Sequence, residues 1–159
     1  MVTDLQVASF AELDTTTLYA ILRLRCDVFI VEQACAYPDV DGRDVEPGTR
    51  HVWLTPSQPD DEGPAVLGYL RILEERGNTA RIGRVCIARD ARRAGLGKIL
   101  MSAALAVIGE RAAVLDAQAY ATRLYEEAGF VPDGPEFVED GIPHVPMRRD
   151  ARSPSDPLP

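Results

Sequence analysis

The sequence predicts an α/β protein with a central mixed, mostly antiparallel sheet of about six to seven strands flanked by helices. Short apolar runs bounded by turn residues alternate with two longer segments of helical spacing, and a glycine-rich loop joins a strand to a helix. The length of 159 residues is that of one domain, and 46% hydrophobic and 26% charged residues are ordinary for a globular protein. We therefore predict a single domain over residues 1–150.

The first half of the chain predicts one long helix followed by an antiparallel meander. Asp14 is a suitable N-cap, and apolar residues at helical spacing from Leu18 to Phe29 extend the predicted helix to about Ile30 or Gln33. A loop with proline and glycine follows this helix. Apolar runs bounded by turn residues then predict three strands, at residues 51–54, 65–73 and 79–88, with an exposed connection at 55–64.

The second half predicts a helix that crosses over to a parallel strand. Apolar residues from Leu96 to Val107 lie on one helical face, and the run at 113–119 is expected to be parallel to the strand before that helix. A short helix at 121–128 is expected to end before Gly129. The last strands are predicted at residues 130–131, 136–138 and 144–148, and a proline-containing tail at 151–159 is predicted to be disordered.

The charge of the whole chain argues against a nucleic-acid partner. The net charge is −8 and the pI is near 4.7, whereas binding to a phosphate backbone depends on an excess of Lys and Arg. The sequence contains neither a secretory signal nor an apolar run near the roughly 20 residues of a membrane span. Cys26, Cys35 and Cys86 have no C-x-x-C spacing, which favours reduced thiols. We expect a cytoplasmic protein without a metal ion, nucleic acid or membrane partner.

A loop at residues 92–98, RRAGLGK, has the features of a phosphate-binding site. Gly95 and Gly97 let backbone N–H groups approach a ligand without a Cβ in the way, and a helix that begins there adds unpaired amides and the positive end of its dipole. Residues 81–98 also hold six basic side chains and one acidic side chain within an acidic protein. This pattern indicates a site for a small polyanionic ligand.

Two other kinds of glycine-rich phosphate site do not fit the loop. A Walker A loop requires glycine at the position of Arg92 and serine or threonine at that of Ile99. A dinucleotide-binding loop requires glycine or alanine at the position of Leu100.

The loop and a second segment together resemble the GNAT N-acetyltransferase superfamily. Arg92-x-x-Gly95-x-Gly97, after a strand and before a helix, is similar to its Q/R-x-x-G-x-G/A motif, and residues 124–130, LYEEAGF, resemble its L-Y-x-x-x-G-F segment. Two further segments resemble the ElaA-like branch of the superfamily: residues 25–33, RCDVFIVEQ, and residues 139–144, EDGIPH.

This resemblance implies acetyl-CoA as the donor and an amine as the acceptor. In such proteins two middle strands separate, the pantetheine arm pairs with the backbone of the earlier strand, and the pyrophosphate binds the glycine loop. Gln118 stands where many members place an asparagine that contacts the pantetheine, and many members form homodimers. The residues assigned to coenzyme A in this way are Val85, Cys86, Ile87, Arg92, Arg93, Ala94, Gly95, Leu96, Gly97, Lys98 and Gln118.

Acyl transfer needs a neutral amine, a polarised thioester carbonyl and a proton for the leaving thiolate. Tyr125 stands at the family position of the group that assists the thiolate, although a tyrosine on a helix is also a common core residue. Glu32 ends the first helical region and His144 follows a Gly-Ile-Pro turn, so we expect both to border the acceptor site. The sequence does not decide which residue is the general base that deprotonates the amine. The candidates are Glu32, Asp41, Asp44, His51 and His144.

The first hypothesis for the function is an acetyl-CoA-dependent N-acetyltransferase that works by direct transfer in a ternary complex. The acidic segments 39–46 and 136–140 are expected to select a cationic acceptor. Cys86 is either a packed thiol or the nucleophile of a ping-pong reaction. Two other functions stay open: a non-catalytic acyl-CoA-binding sensor, and an enzyme similar to acyl-homoserine-lactone synthases.

Overall fold

The computed structural model describes residues 2–58 and 65–152, which form an eight-stranded sheet with helices on both faces. The helices are α1 (Thr15–Arg25), α2 (Leu96–Ile108) and α3 (Thr122–Glu127). The strands are β1 (Thr3–Ala8), β2 (Arg50–Pro56), β3 (Gly68–Glu75), β4 (Thr79–Ile87), β5 (Ala113–Gln118), β6 (Val131–Pro132), β7 (Phe137–Glu139) and β8 (Ile142–Arg149).

The strands are ordered β1-β2-β3-β4-β5-β8-β6, and β7 also pairs with β8. The β4–β5 pair is parallel, because α2 crosses over between the two strands, and the other pairs are antiparallel. This arrangement confirms the predicted fold class and the predicted crossover.

The two faces of the sheet have separate apolar cores. On one face, α2 packs through Leu100 against buried strand residues that include Leu70 and Ile72. On the other face, α1 packs through Ile21 against a cluster that includes Tyr69. Every second residue of a strand points to the same face, so β3 contributes to both cores with alternating side chains.

The first helical region changes its hydrogen-bonding pattern halfway. The α-helix ends at Arg25, and Cys26–Glu32 continue as a π-helical segment in which Gln33 N–H donates to the Val28 carbonyl at 3.2 Å. The sequence predicts one helix over this region, because apolar spacing shows which residues face the core and does not distinguish i→i−4 from i→i−5 bonds. Segments of this kind are frequent at functional sites.

The strand β1 is absent from the sequence-based prediction. Its residues Leu5 and Val7 are 44% and 45% exposed, and no residue of the strand is fully buried. Only Leu5 and Val7 alternate with polar residues here, and so short a pattern in a strand that buries no face is a weak strand signal. The sheet therefore has eight strands rather than the expected six to seven.

Two predicted segments lie partly outside the described residues. The connection predicted at 55–64 is described only to residue 58, and the tail predicted from 151 only to Arg152, whose N–H donates to the Glu110 carbonyl at 2.9 Å. No helix in the described part of the chain is long and apolar enough to cross a membrane.

A buried network of arginines and aspartates attaches the loop after the π-helical segment to the sheet. Arg25, which is 1% exposed, donates from Nε to Asp39 Oδ2 at 2.9 Å and from Nη1 to Asp44 Oδ1 at 2.7 Å. Arg71 of β3 donates from Nη1 to Asp44 Oδ1 at 3.0 Å and to Asp41 Oδ1 at 2.8 Å. Although burial raises the pKa of Asp44, its hydrogen bond with Arg25 and the nearby Arg71 hold that pKa below its ordinary value.

Replacement of Arg25 by methionine is expected to destabilise the fold strongly. Arg25→Met leaves the carboxylates of Asp39 and Asp44 buried with fewer partners, and removal of one member of a buried ion pair costs about 3–5 kcal/mol. The measurement is the free energy of unfolding in urea. Arg23→Met on the same helix is the control, because Arg23 is exposed and lies 3.9 Å from Asp27, and it should change stability by less than about 0.5 kcal/mol. Similar losses in both variants would contradict the assigned role.

Candidate functional site

The strands β4 and β5 separate shortly after they meet. They pair at Ala80 with Ala113 and at Arg81 with Val114, and beyond these two pairs they diverge. The divergence leaves a cleft of about 440 Å³ that opens on the α1 side of the sheet. Its lining includes Phe29, Gln33, Cys35, Tyr37, Asp41, Arg71, Arg81, Arg84, Val85, Asp116, Gln118, Tyr120, Tyr125, Glu139, Asp140 and His144.

A β-bulge in β4 bends that strand away from β5. Tyr69 pairs with Cys86 and Arg71 with Gly83, so two residues of β4 lie opposite one residue of β3. Arg84, inside the bulge, has φ +56°, a left-handed conformation that costs a non-glycine residue about 1–2 kcal/mol. The surrounding structure must therefore hold Arg84 in place.

Ion pairs and an aromatic ring hold the Arg84 side chain. Its Nη2 donates to the Asp39 carbonyl at 3.0 Å, its Nε lies 2.8 Å from Asp39 Oδ1, and its guanidinium lies 5.4 Å from the centre of the Tyr37 ring. The Tyr37 hydroxyl also donates to Asp39 at 2.6 Å. Asp39 thus joins the bulge to the network around Arg25.

The backbone of β4 presents unpaired groups to the gap. Ala88 N–H donates to the Leu67 carbonyl at 2.8 Å, on the β3 side. Because successive residues of a strand direct their N–H and C=O groups to opposite sides, Cys86 faces β3, whereas Val85 and Ile87 face the gap. An extended ligand in the gap could pair with Val85 and Ile87 as a neighbouring strand would.

The glycine loop has the geometry of an anion site. Arg93 and Gly95 have φ of +66° and +77°, and Gly95 is the N-cap of α2. No described residue accepts a hydrogen bond from the N–H groups of Arg93, Ala94 or Gly95, and the first amides of α2 lack partners within the helix. These N–H groups and the helix dipole can bind a phosphate. The predicted start of α2 at Leu96 is confirmed.

Most of the basic residues near the loop are already paired with acids. All of the acidic partners lie outside residues 81–98, so the local charge count overstates the positive charge that a ligand would meet. The pairs are Arg81 with Glu75 and Asp116, Arg84 with Asp39, Arg92 with Glu32, and Lys98 with Glu127.

Two of the candidate bases are engaged in structural contacts. Glu32 binds Arg92 through both oxygens, at 2.6 and 2.9 Å, and the hydrogen bonds from Arg92 lower the pKa of Glu32. His51 is buried: its Nε2 donates to the Asp44 carbonyl at 3.0 Å and its Nδ1 accepts from the Tyr69 hydroxyl at 2.8 Å. Burial lowers the pKa of His51, and neither residue lines the cleft. The geometry therefore argues against either residue as the base.

The acidic segment 39–46 is largely neutralised by arginines. Asp41 accepts from Arg71, whose hydrogen bonds hold the pKa of Asp41 far below its ordinary value. Asp44 is shared by Arg25 and Arg71, and Glu46 is bound by Arg43. These contacts argue against the expectation that this segment selects a cationic acceptor. They also argue against a role for Asp41 or Asp44 as the base.

His144 lies in the cleft opposite Gln118 in the β5–β8 pairing. Its Nδ1 is 2.7 Å from the Ile142 carbonyl, which can only accept, so Nδ1 carries the proton. In the neutral ring the lone pair then belongs to Nε2. The ring also stacks on Phe137, with centres 5.6 Å apart, which fixes its orientation. His144 is therefore a candidate proton acceptor through its Nε2 atom.

Glu139 and Asp140, on and next to β7, also line the cleft. No described residue forms an ion pair with either carboxylate, in contrast to the segment 39–46. The cleft thus keeps two free negative charges near His144.

Tyr125 projects from α3 into the cleft and is 7% exposed. Its ring packs edge-on against Phe130 at 6.5 Å between centres, and burial raises its pKa, so the hydroxyl stays protonated. Cys86 points instead into the α1-side core and does not line the cleft. Burial raises the pKa of the Cys86 thiol, which favours the packed thiol over a nucleophile.

Gln118 lies at the end of β5, where it pairs with Gln33. The two side-chain amides exchange hydrogen bonds of 3.1 and 3.2 Å, and the Tyr120 hydroxyl also donates to Gln118. Gln33, Arg84 and Tyr37 are absent from the sequence-based site residues, because a paired amide and a clamped arginine depend on contacts between distant segments. No group of three or more His, Cys, Asp or Glu side chains among the described residues could hold a metal ion.

Comparison with known proteins gives one consistent result. The family model of the acetyltransferase (GNAT) domain matches residues 57–151. UPF0039 protein Rv2851c of Mycobacterium tuberculosis is 51% identical over 141 residues, 87% of each chain. The crystal structure of Escherichia coli ElaA has a TM-score of 0.83 and 34% identity, over 94% of this chain and all of ElaA. An acyl-CoA N-acyltransferase from Pseudomonas aeruginosa has a TM-score of 0.82 and 37% identity, over 93% and 99% of the chains.

Proposed function

The chain belongs to the GNAT acetyltransferase family and resembles ElaA, and from this premise we propose that it transfers an acetyl group from acetyl-CoA to an amine. The observation that carries the proposal is the separation of β4 and β5 next to the glycine loop. This arrangement offers backbone groups for a ligand with two amides and, beside them, an anion site for its diphosphate.

Coenzyme A occupies the gap in this proposal. Its pyrophosphate accepts hydrogen bonds from the amides of residues 93–97, and its pantetheine arm pairs with Val85 and Ile87. The arm then leads the thioester to the bulge, where Val85 borders the cleft. A backbone N–H of β4 that points into the gap would polarise the thioester carbonyl.

The acceptor amine enters from the open side of the cleft. Glu139 and Asp140 favour a cationic acceptor, which binds as an ammonium and must lose a proton before it reacts. An amine of pKa ~10.4 is neutral about once in 2,500 molecules at pH 7, which corresponds to roughly 4.6 kcal/mol. We assign the removal of that proton to Nε2 of His144, directly or through water.

The transfer itself is a direct attack in a ternary complex. The amine nitrogen bonds to the thioester carbon, the carbon–sulfur bond breaks, and the nitrogen releases its surplus proton to solvent. The thiolate takes a proton from the Tyr125 hydroxyl, which regains one from solvent. The products are an amide and the free thiol of coenzyme A. Cys86 takes no part in this scheme, because its thiol is buried in the α1-side core and does not line the cleft.

A panel of amines tests the function. The assay follows the release of free CoA thiol from acetyl-CoA with polyamines, amino acids, peptide N-termini and S-adenosylmethionine as acceptors. We expect turnover with at least one cationic amine. Saturable binding of CoA without turnover across the panel would instead indicate a non-catalytic acyl-CoA-binding sensor. A marked preference for S-adenosylmethionine would indicate an enzyme similar to acyl-homoserine-lactone synthases.

The substitution Gly97→Glu tests the anion site. It places a carboxylate at the start of α2, and a Cβ there meets the side chain of Leu124 at 3.4 Å, an ordinary contact. Repulsion of the pyrophosphate should weaken CoA binding roughly 100-fold, as measured by calorimetry. Gly97→Gln, of similar size and without charge, is the control and should weaken binding much less. Equal losses in both variants would contradict a diphosphate at this loop.

The substitution Tyr125→Phe tests the proton donor. It removes the hydroxyl and keeps the ring that packs on Phe130. We expect kcat to fall about 10- to 100-fold with the KM for acetyl-CoA within about twofold, because the hydroxyl acts in the transition state. Steady-state kinetics with the best amine of the panel provide the measurement. An unchanged kcat would leave Tyr125 as a core residue.

A further inference from the structure

Two adjacent residues at the end of the π-helical segment reach both sides of the gap. Glu32 binds Arg92, in the loop after β4, with Nη1 and Nη2 of Arg92 at 2.6 and 2.9 Å from its two oxygens. Gln33 exchanges amide hydrogen bonds of 3.1 and 3.2 Å with Gln118, the last residue of β5. One turn of chain therefore contacts the two elements that flank the proposed pantetheine channel.

These contacts lie where the sheet itself provides no connection. The pairing between β4 and β5 ends at Arg81 and Val114, so sheet hydrogen bonds do not determine the distance between the strands farther along. Arg92 is tied back to β4, since its Nε donates to the Ile87 carbonyl at 3.1 Å. Hydrogen bonds thus connect β4 to Glu32 through Arg92, the backbone continues from Glu32 to Gln33, and hydrogen bonds connect Gln33 to Gln118 on β5.

We propose that Glu32 and Gln33 form a strap that sets the width of the gap between β4 and β5. They act as positioning residues: they hold Arg92 and Gln118 in place and do not touch the reacting atoms. The inference rests on the proposed function, because the width of the gap matters only if a coenzyme arm lies in it. It gives Glu32 a role other than that of a base.

The geometry at Arg92 supports this role. Three of its five N–H donors are used by Glu32 and Ile87. These contacts hold the guanidinium in one orientation, so it is not free to turn toward a phosphate. A bidentate pair of arginine and carboxylate is more specific in direction than a single contact. Because both partners are more than a third exposed, the pair adds little to overall stability and its loss should not unfold the protein.

The two possible roles of Glu32, as part of the strap and as the general base, predict different kinetics for its variants. If Glu32 positions the loop, Glu32→Gln should raise the KM for acetyl-CoA about twofold to fivefold, the scale of an exposed ion pair, and leave kcat within about twofold. Gln33→Ala should have a similar effect through Gln118. Because both residues belong to one strap, the double variant should lose less than the product of the two single effects.

The experiment measures kcat, KM for acetyl-CoA and the calorimetric affinity for CoA in Glu32→Gln, Gln33→Ala and the double variant. Asp27→Asn is the matched control on the same segment, because Asp27 is exposed, lies 3.9 Å from Arg23 Nε and forms no hydrogen bond with Arg92 or Gln118. We expect the control to behave as wild type. The pH dependence of kcat should keep its shape in Glu32→Gln, since a positioning residue does not exchange the reacting proton.

Three results would overturn the strap. A large fall in kcat of Glu32→Gln with an altered pH profile would restore Glu32 as the base. Strap variants that behave like Asp27→Asn would show that the gap is held in another way, and would leave the proposed function intact. Wild-type protein that takes up no CoA would overturn the proposed function together with the strap.

Discussion

The site depends on one backbone constraint, the left-handed conformation of Arg84 inside the β4 bulge. The bulge turns β4 away from β5, and that separation creates both the cleft and the unpaired backbone of Val85 and Ile87. This conformation costs a residue with a side chain about 1–2 kcal/mol, so contacts of the Arg84 side chain are needed to offset it. Asp39 supplies the support, because its carbonyl accepts from Arg84 and its carboxylate accepts from Arg25 and Tyr37.

The ion pairs of the protein join segments that are distant in the sequence. Charges counted along one segment therefore do not predict the charge that a ligand meets in the fold. Residues 81–98 are strongly basic and residues 39–46 acidic, which favours one site for an anion and one for a cation. In the fold, most charges of both segments are paired with other parts of the chain, and Arg84 joins the two segments directly through Asp39 and Asp41. The polar groups that remain available to ligands among the described residues include backbone amides of the loop and the carboxylates of Glu139 and Asp140.

The sequence was sufficient for the elements whose physical cause is local. The start of α2 at Leu96 follows from a glycine turn and an apolar helical face, and the parallel β5 follows from the crossover. The π-helical segment and β1 could not be predicted, since the first depends on bond register and the second buries no face. The proposal of His144 from among five candidate bases required the hydrogen-bond partners of His51, Glu32 and His144, which only the folded chain brings together.

The short pairing between β4 and β5 divides the sheet mechanically. Strands β1–β4 form one half and β5–β8 the other, and between the strands themselves two residue pairs connect the halves. Such a seam is the natural place for slow relative movement, because few backbone bonds resist it. A ligand that forms hydrogen bonds to both strands across the seam would stabilise the whole molecule. Ligand binding should therefore raise the thermal stability of both halves of the sheet, rather than only that of the residues beside the ligand.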